Sequence, residues 1–306
     1  MNAKLLCLLG PTAVGKTEIA IQLSQRLNAE IISVDSRQIY RQMDIGTAKP
    51  TLKEQHAARH HLIDCVDISQ PFSVADYQRL ADAAIADIQN RGKRVLLVGG
   101  AGLYFRAVVD GLFEGPGADA ARRERLEGEA AQHGADALHE RLRACDPESA
   151  DRIHPNNIVR VIRALEVYEL TGTPMSVLQQ QWHSEKQRYP FIAFCLTMPR
   201  TLLYRRIEQR VDIMLANGLV AEVESLLAAG YARDTVALQS FGYRELTAYL
   251  DGECTYMEAI SQLKQNTRRF AKRQLTWFRK DTRLEWIDRE STPDVVAHIL
   301  KRIGLT

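Results

Sequence analysis

The segment Gly10-Pro11-Thr12-Ala13-Val14-Gly15-Lys16-Thr17 restricts the fold of this 306-residue chain more than any other stretch. It follows an apolar run, Leu5 to Leu9, and opens an amphipathic stretch, Glu18 to Leu27. Strand, glycine loop and helix in that order are the setting in which a G-x-x-x-x-G-K-[ST] loop wraps a phosphate. The glycines let the backbone close around an anion with successive N–H groups turned inward. The helix N-terminus adds its partial positive charge. In that arrangement Gly10, Pro11, Thr12, Ala13, Val14 and Gly15 form the cradle, Lys16 reaches the terminal phosphate, and the Thr17 hydroxyl helps hold Mg²⁺. The loop identifies a phosphate, not the molecule that carries it.

The first third of the chain continues the strand–helix alternation. Glu30–Val34 and Arg94–Val98 are short apolar runs, and between them Val74 to Gln89 has apolar residues at three- and four-residue spacing. Such alternation predicts an α/β fold, a P-loop NTPase-like parallel sheet flanked by helices. Two more strands, Phe191–Thr197 and Leu284–Ile287, are expected to return to the same sheet. Between the halves, Ala118 to Lys186 has helical spacing and no convincing strand, with Gly115-Pro116-Gly117 as a hinge on the way in. The expected organisation is a discontinuous core domain, residues 1–117 and 187–306, with an all-helical insertion domain at 118–186. From Pro199 to Arg279 the pattern is again helical, with breaks at Gly218, Gly230 and Asp251-Gly252.

Net charge is only +2, so any affinity for nucleic acid has to come from local clustering of basic groups. The five cysteines, Cys7, Cys65, Cys145, Cys195 and Cys254, form no C-x-x-C pair, which argues against a disulfide framework or a structural zinc site. Cys7 and Cys195 sit in strand-like runs and read as buried thiols. No apolar run approaches membrane-spanning length, and the N-terminal run is too short for a signal peptide. No membrane association is expected, and the expected compartment is the cytoplasm.

Several residues fall where chemistry is done. Asp35 closes the second strand, and in an open α/β sheet ligands bind beyond the carboxyl ends of the strands. Asp35 also stands three residues before Gln38, the spacing of a capping box that starts a helix, and both readings stay open. Gly99-Gly100-Ala101-Gly102 is a second glycine turn on the same edge, suited to close approach of a ligand or simply to a tight turn. The strand before it ends in glycine, without the acidic Mg²⁺ ligand of a motor-type ATPase. Late in the chain, Lys264, Arg268, Arg269, Lys272, Arg273, Arg279 and Lys280 interleave with Phe270, Trp277 and Phe278. Basic groups neutralise phosphates and aromatics stack on unpaired bases, although a solvated helix with inward aromatics has the same pattern. Arg152, Arg160 and Arg163 form a second basic group. His60, His61, His139, His154 and His183 lack ligand spacing and read as structural.

Together these stretches resemble one family, the tRNA dimethylallyltransferases, also called tRNA isopentenyltransferases. The matching segments are Gly10–Thr17, Ser33–Tyr40, Met43–Pro50, His60–Asp64, Gly99–Tyr104, Asp146–Ala150, Arg160–Glu166, Gly242–Glu245 and Thr267–Trp277, in order along nearly the whole chain. The resemblance implies that the loop holds the pyrophosphate of dimethylallyl diphosphate, with Mg²⁺, and that the prenyl group passes to the exocyclic amino group of the adenosine 3′ to certain tRNA anticodons. It makes Asp35 the general base, with Lys16 and Thr17 as its catalytic companions. It assigns contact with the tRNA anticodon stem-loop to Asp35, Ser36, Arg37 and Gln38; to Ala101 and Arg123; and to Val159, Arg160, Val161, Ile162 and Arg163. It extends the same role to Gln239, Ser240, Phe241, Gly242, Tyr243 and Arg244, and to Lys272, Arg273, Gln274, Leu275, Thr276, Trp277, Phe278, Arg279 and Lys280. A monomer is expected.

The chain departs from the family pattern at Ala101, where threonine is usual, and at Asn157, where aspartate is usual. The first departure removes a hydroxyl from the glycine turn and the second a charge from the insertion. Two rivals remain on the residues alone: a P-loop small-molecule kinase, which needs no late basic helix, and a non-catalytic RNA-binding protein with a vestigial loop.

Overall fold

A computed structural model describes residues 4–112, 115–180 and 187–305. Its described part divides into two compact units, one built from Met1–Val109 with Arg188–Thr306 and one from Asp110–Gln187. His183 and Lys186 lie outside the described residues.

In the first unit, the chain runs β1 (Leu5–Leu9), α1 (Lys16–Leu27), β2 (Ala29–Val34), α2 (Leu52–Ala57), β3 (His60–His61), α3 (Val74–Asn90), β4 (Arg94–Gly99) and α4 (Gly102–Val109). The second unit holds α5 (Ala120–His133), α6 (Ala135–Cys145), α7 (Pro147–Arg152), α8 (Ile158–Thr171) and α9 (Met175–Gln180). The first unit then resumes with β5 (Phe191–Thr197), α10 (Arg200–Ala216), α11 (Leu219–Ala228), α12 (Tyr243–Leu250), α13 (Tyr256–Phe278), β6 (Leu284–Asp288) and α14 (Val295–Arg302).

The six strands form one parallel sheet in the order β3-β2-β4-β1-β5-β6. β1 is Leu-Leu-Cys-Leu-Leu and buried throughout, as a strand covered on both faces must be. Alternate residues serve different faces. Leu5, Cys7 and Leu9 join one core with Tyr77, Ile85, Phe105 and Val211, whereas Leu6 and Leu8 join a second with Ile19, Leu23, Ile207 and Ile299. The second unit has its own core of Leu126, Leu142, Val161, Ile162 and Leu165. Capping boxes at Ser73–Asp76 and Thr255–Glu258 start α3 and α13.

The parallel sheet expected from the apolar runs is present, and Phe191–Thr197 and β6 do return to it. β3 was not anticipated, since two residues carry no periodicity. Asp35 and Gln38, by contrast, start no helix. After Gln38 the backbone is committed elsewhere: Val66 N–H donates to Ile39 O at 3.0 Å and Arg41 N–H to Val66 O at 2.9 Å, so the chain runs extended beside Val66. The next helix begins only at Leu52.

Candidate active site

The phosphate loop lies at the carboxyl end of β1, where the sheet has a neighbour strand on either side, β4 and β5. Gly15 has φ +91°, a left-handed value that glycine adopts without strain. Lys16 folds back over the loop, its Nζ donating to Gly10 O at 2.9 Å and Pro11 O at 2.8 Å. Burial, then repulsion from Arg210, pushes the Lys16 ammonium down to about 8. The Thr17 hydroxyl lines the same cleft.

A buried glutamine joins this loop to the second glycine turn. Gln274 Oε1 accepts from Thr12 N–H at 2.9 Å, and its Nε2 donates to Gly100 O at 3.0 Å. A Cβ at residue 100 would lie 2.2 Å from that Nε2, so the turn has to be glycine for the glutamine to reach it. Ala101, next along, puts a methyl on the cleft wall where a hydroxyl would stand in a threonine.

Asp35 faces the cleft from the end of β2. Its Oδ1 accepts from Arg37 N–H at 2.8 Å and Gln38 N–H at 3.3 Å, which caps a turn and aims the carboxylate. Gln38 is held at both ends of its amide. Oε1 accepts from the Ser33 hydroxyl at 3.0 Å, and Nε2 donates to Ala48 O at 3.1 Å. Arg37 Nη1 donates to Val236 O at 2.7 Å. Glu222 secures the segment that carries Ala48: its carboxylate accepts from the N–H groups of Asp44, Ile45 and Gly46 and from the Tyr243 hydroxyl. The cleft has a cavity volume of about 250 Å³ and runs from the phosphate loop past Asp35 to an apolar wall of Val211, Leu219 and Leu263.

Three arginines near the loop escaped the sequence reading. Arg210 lines the cleft, and burial together with the nearby Arg206 lowers its pKa. Arg206 Nη2 comes within 3.3 Å of where a Gly15 Cβ would stand. Arg289, just after β6, donates to Val14 O at 2.9 Å. The sequence did hold a faint signal, since Arg206 and Arg210 are one turn apart beside the buried Ile207 and Val211 of α10. Neither Arg206 nor Arg210 has an ion pair among the described residues, so both charges are open to an anion.

The late basic helix resolves into two faces. Ala271, Gln274 and Phe278 are buried, and Leu275 is half-buried, so these side chains serve the core or the loop. Arg269, Lys272, Arg273, Thr276, Trp277 and Lys280 line a separate shallow depression. Arg273 lies over the Phe241 and Phe270 rings, 5.8 Å from each centroid. Arg279 is exposed, as are Gln239 and Arg244, whereas Ser240, Gly242 and Tyr243 are buried. Lys264 and Arg268 are tied up with Asp212 and Glu208. In the second unit Val159 is 78% exposed and Arg160 is exposed, but Val161 and Ile162 are core residues. Arg123 and Arg163 are both spent on the buried Glu166 carboxylate. Asn157 caps α8 without a side-chain hydrogen bond.

Two of the described histidines are held inside the fold. His139 is buried against the carbonyls of Ala150 and Ile153, and His61 bonds the buried Glu30. All five cysteines are free, with Cys7 and Cys195 buried.

A parallel sheet covered by helices on both faces, a glycine loop beside Lys16, Arg206 and Arg210 and a carboxylate in the same cleft give the architecture of a P-loop-like α/β protein. Comparison narrows this class. Residues 38–281 match the family model described as IPP transferase. A tRNA dimethylallyltransferase of Geobacillus thermodenitrificans is 52% identical over 292 residues, 94% of this chain and 91% of that protein. The crystal structure of the full-length tRNA isopentenylpyrophosphate transferase from Bacillus halodurans aligns with a TM-score of 0.74 at 45% identity, covering 98% of this chain and 95% of that one. A eukaryotic dimethylallyltransferase acting on tRNA aligns at 0.79 with 27% identity, over 98% of this chain and 78% of its own. The chain belongs to the IPP transferase family, that of the tRNA dimethylallyltransferases. This membership favours a prenyl transferase over the small-molecule kinase.

Proposed function

We propose that the protein transfers the dimethylallyl group of dimethylallyl diphosphate to the exocyclic amino group of the adenosine 3′-adjacent to the anticodon in tRNA, releasing diphosphate. The observation that carries this reading is the gathering of Lys16 and Arg210 in one cleft with Asp35, with Arg206 beside Gly15 of the loop. Burial and the neighbouring Arg210 lower the Lys16 pKa, and burial and Arg206 lower that of Arg210; a compact polyanion such as a diphosphate relieves this crowding of positive charge.

An adenine amino group is a weak nucleophile because its lone pair is delocalised into the ring. As its nitrogen attacks the prenyl carbon, the carbon–oxygen bond breaks and its electron pair leaves with the diphosphate. The loop N–H groups, Lys16 and Arg210 stabilise the charge that develops there. Asp35 accepts the amino proton; its Oδ1 is already held by backbone N–H groups, which leaves Oδ2 for that work. The target base has to leave the anticodon stack to reach Asp35, which implies base flipping. The Thr17 hydroxyl is an oxygen donor of the kind Mg²⁺ favours. When bound, Mg²⁺ neutralises part of the diphosphate charge.

Lys272, Arg273, Arg279 and Lys280 offer their charges to the phosphates of the stem-loop, and Val159 and Arg160 offer a second surface. Buried members of the expected tRNA set, such as Tyr243, Phe278, Val161 and Ile162, support these contacts through the backbone and the core. We infer action as a monomer in the cytoplasm; the five free thiols suit a reducing compartment. Size-exclusion chromatography with light scattering tests the first point. The activity is tested by incubating the protein with unmodified tRNA, dimethylallyl diphosphate and Mg²⁺, then analysing the nucleosides by mass spectrometry. Prenylated adenosine is expected. ATP turnover without prenyl transfer would refute the reading.

A further inference from the structure

Arg289 reaches the phosphate loop from outside the cleft. Its backbone N–H donates to Thr197 O at 2.9 Å, which anchors the residue beside the end of β5. Its Nη1 donates to Val14 O at 2.9 Å, and its Nη2 lies 3.6 Å from Glu18 Oε2. The same guanidinium covers Gly15, where a Cβ would stand 1.8 Å from Nη1. Only glycine admits that contact.

The consequence follows from peptide geometry. The Val14–Gly15 peptide is trans, as is every described peptide bond, so the Val14 carbonyl and the Gly15 N–H lie in one plane and point in opposite directions. Gly15 tolerates backbone angles on either side of the map, so the loop sequence alone does little to oppose a flip of this peptide. A flipped peptide would present a carbonyl oxygen to the diphosphate in place of a donor. Arg289 holds the carbonyl on the outside with a charge-assisted hydrogen bond, and this turns the Gly15 N–H toward the anion.

We propose that Arg289 is a positioning residue for the diphosphate: it locks the Val14–Gly15 peptide in the orientation that donates to the leaving group. The inference rests on the diphosphate reading of the loop. Loss of a hydrogen bond to a charged group implies a fall in diphosphate affinity of about ten- to a hundredfold.

The test is calorimetric binding of inorganic diphosphate with Mg²⁺ to the full chain and to Arg289→Met, with Arg289→Lys as the variant that restores a charged donor. Alongside it, kcat/KM for dimethylallyl diphosphate and the dissociation constant for tRNA are measured. Arg289→Met should weaken diphosphate at least tenfold, lower kcat/KM for the donor by the same factor and leave tRNA affinity unchanged. Arg289→Lys should recover part of the loss. Wild-type diphosphate affinity in Arg289→Met overturns the proposal, and so does an equal loss of tRNA and diphosphate affinity, which would mark a general packing role. Should Arg289→Met fail to fold, Arg289→Gln serves the same comparison with the same two outcomes. Failure of the unmodified protein to bind diphosphate would instead sink the reading on which the proposal rests.

Discussion

Replacing Gln274 by leucine separates two roles that one side chain has been given. Leucine has a similar volume and helix propensity but cannot bridge Thr12 and Gly100. Two hydrogen bonds are lost, the 2.9 Å bond from Thr12 N–H and the 3.0 Å bond to Gly100 O. Gly100 is buried, so its carbonyl is left without a partner at a cost of about 1–3 kcal/mol; Thr12 is half-buried and its N–H can turn to water, costing about 0.5–1.5 kcal/mol. The expected loss of stability is about 2–4 kcal/mol, read as a lower midpoint in urea unfolding at unchanged slope. Prenyl transfer should fall as well, because the phosphate loop and the glycine turn are no longer tied to one helix. tRNA affinity, measured by filter binding, should stay close to that of the unmodified protein. A variant of wild-type stability that binds tRNA poorly would refute the reasoning and return Gln274 to the RNA surface.

Asp35→Ala should lower prenyl transfer by about 10²–10⁴-fold if the carboxylate is the base, with tRNA binding much less affected, as single-turnover assays with saturating tRNA would reveal. Lys16 is charged below a pKa lowered to about 8 and loses its proton above it, so the KM for dimethylallyl diphosphate should climb as pH rises through that value. Diphosphate binding near pH 8 should take up protons, seen as a buffer-dependent heat; proton release would contradict the assignment. Lys16→Arg, which cannot deprotonate in this range, should flatten the alkaline rise even if it binds less well. Lys272→Ala combined with Arg273→Ala should weaken tRNA and reduce the salt slope by about one for each phosphate contact removed. An unaltered slope would mean that these side chains are merely solvated.

The parts of the fold written as apolar runs were legible in the sequence. β1, β2, β4 and β5 are continuous hydrophobic stretches bounded by turns, and their burial on both faces is what such runs require. β3 was not, because a two-residue edge strand leaves no pattern to read. Asp35 at a strand end was legible as a candidate; of the two readings its spacing left open, the helix start is not realised, because the chain after Gln38 pairs with Val66, far off in sequence. In α13 the mixture of basic and aromatic residues was visible, yet spacing could not say which face turned inward. Burial of Ala271, Gln274 and Phe278 settles that face. Arg206, Arg210 and Arg289 stayed hidden for a related reason. An arginine on an amphipathic helix reads as solvated until the sheet brings it beside a loop nearly two hundred or more positions earlier in the chain.

That remoteness bears on how the protein is made. The phosphate loop leaves the ribosome long before its partners, because its ties to Gln274 and Arg289 span 262 and 275 residues of sequence. Contacts of such separation close late, after the entropy of long loops has been overcome. A nascent chain therefore carries an unfinished cradle until α13 and the residue after β6 have emerged and can supply its tether and its outward lock. Cutting the chain ahead of Arg289 also removes α14, whose Val295, Val296 and Ile299 belong to the core, so only point variants at Arg289 isolate the lock from the fold.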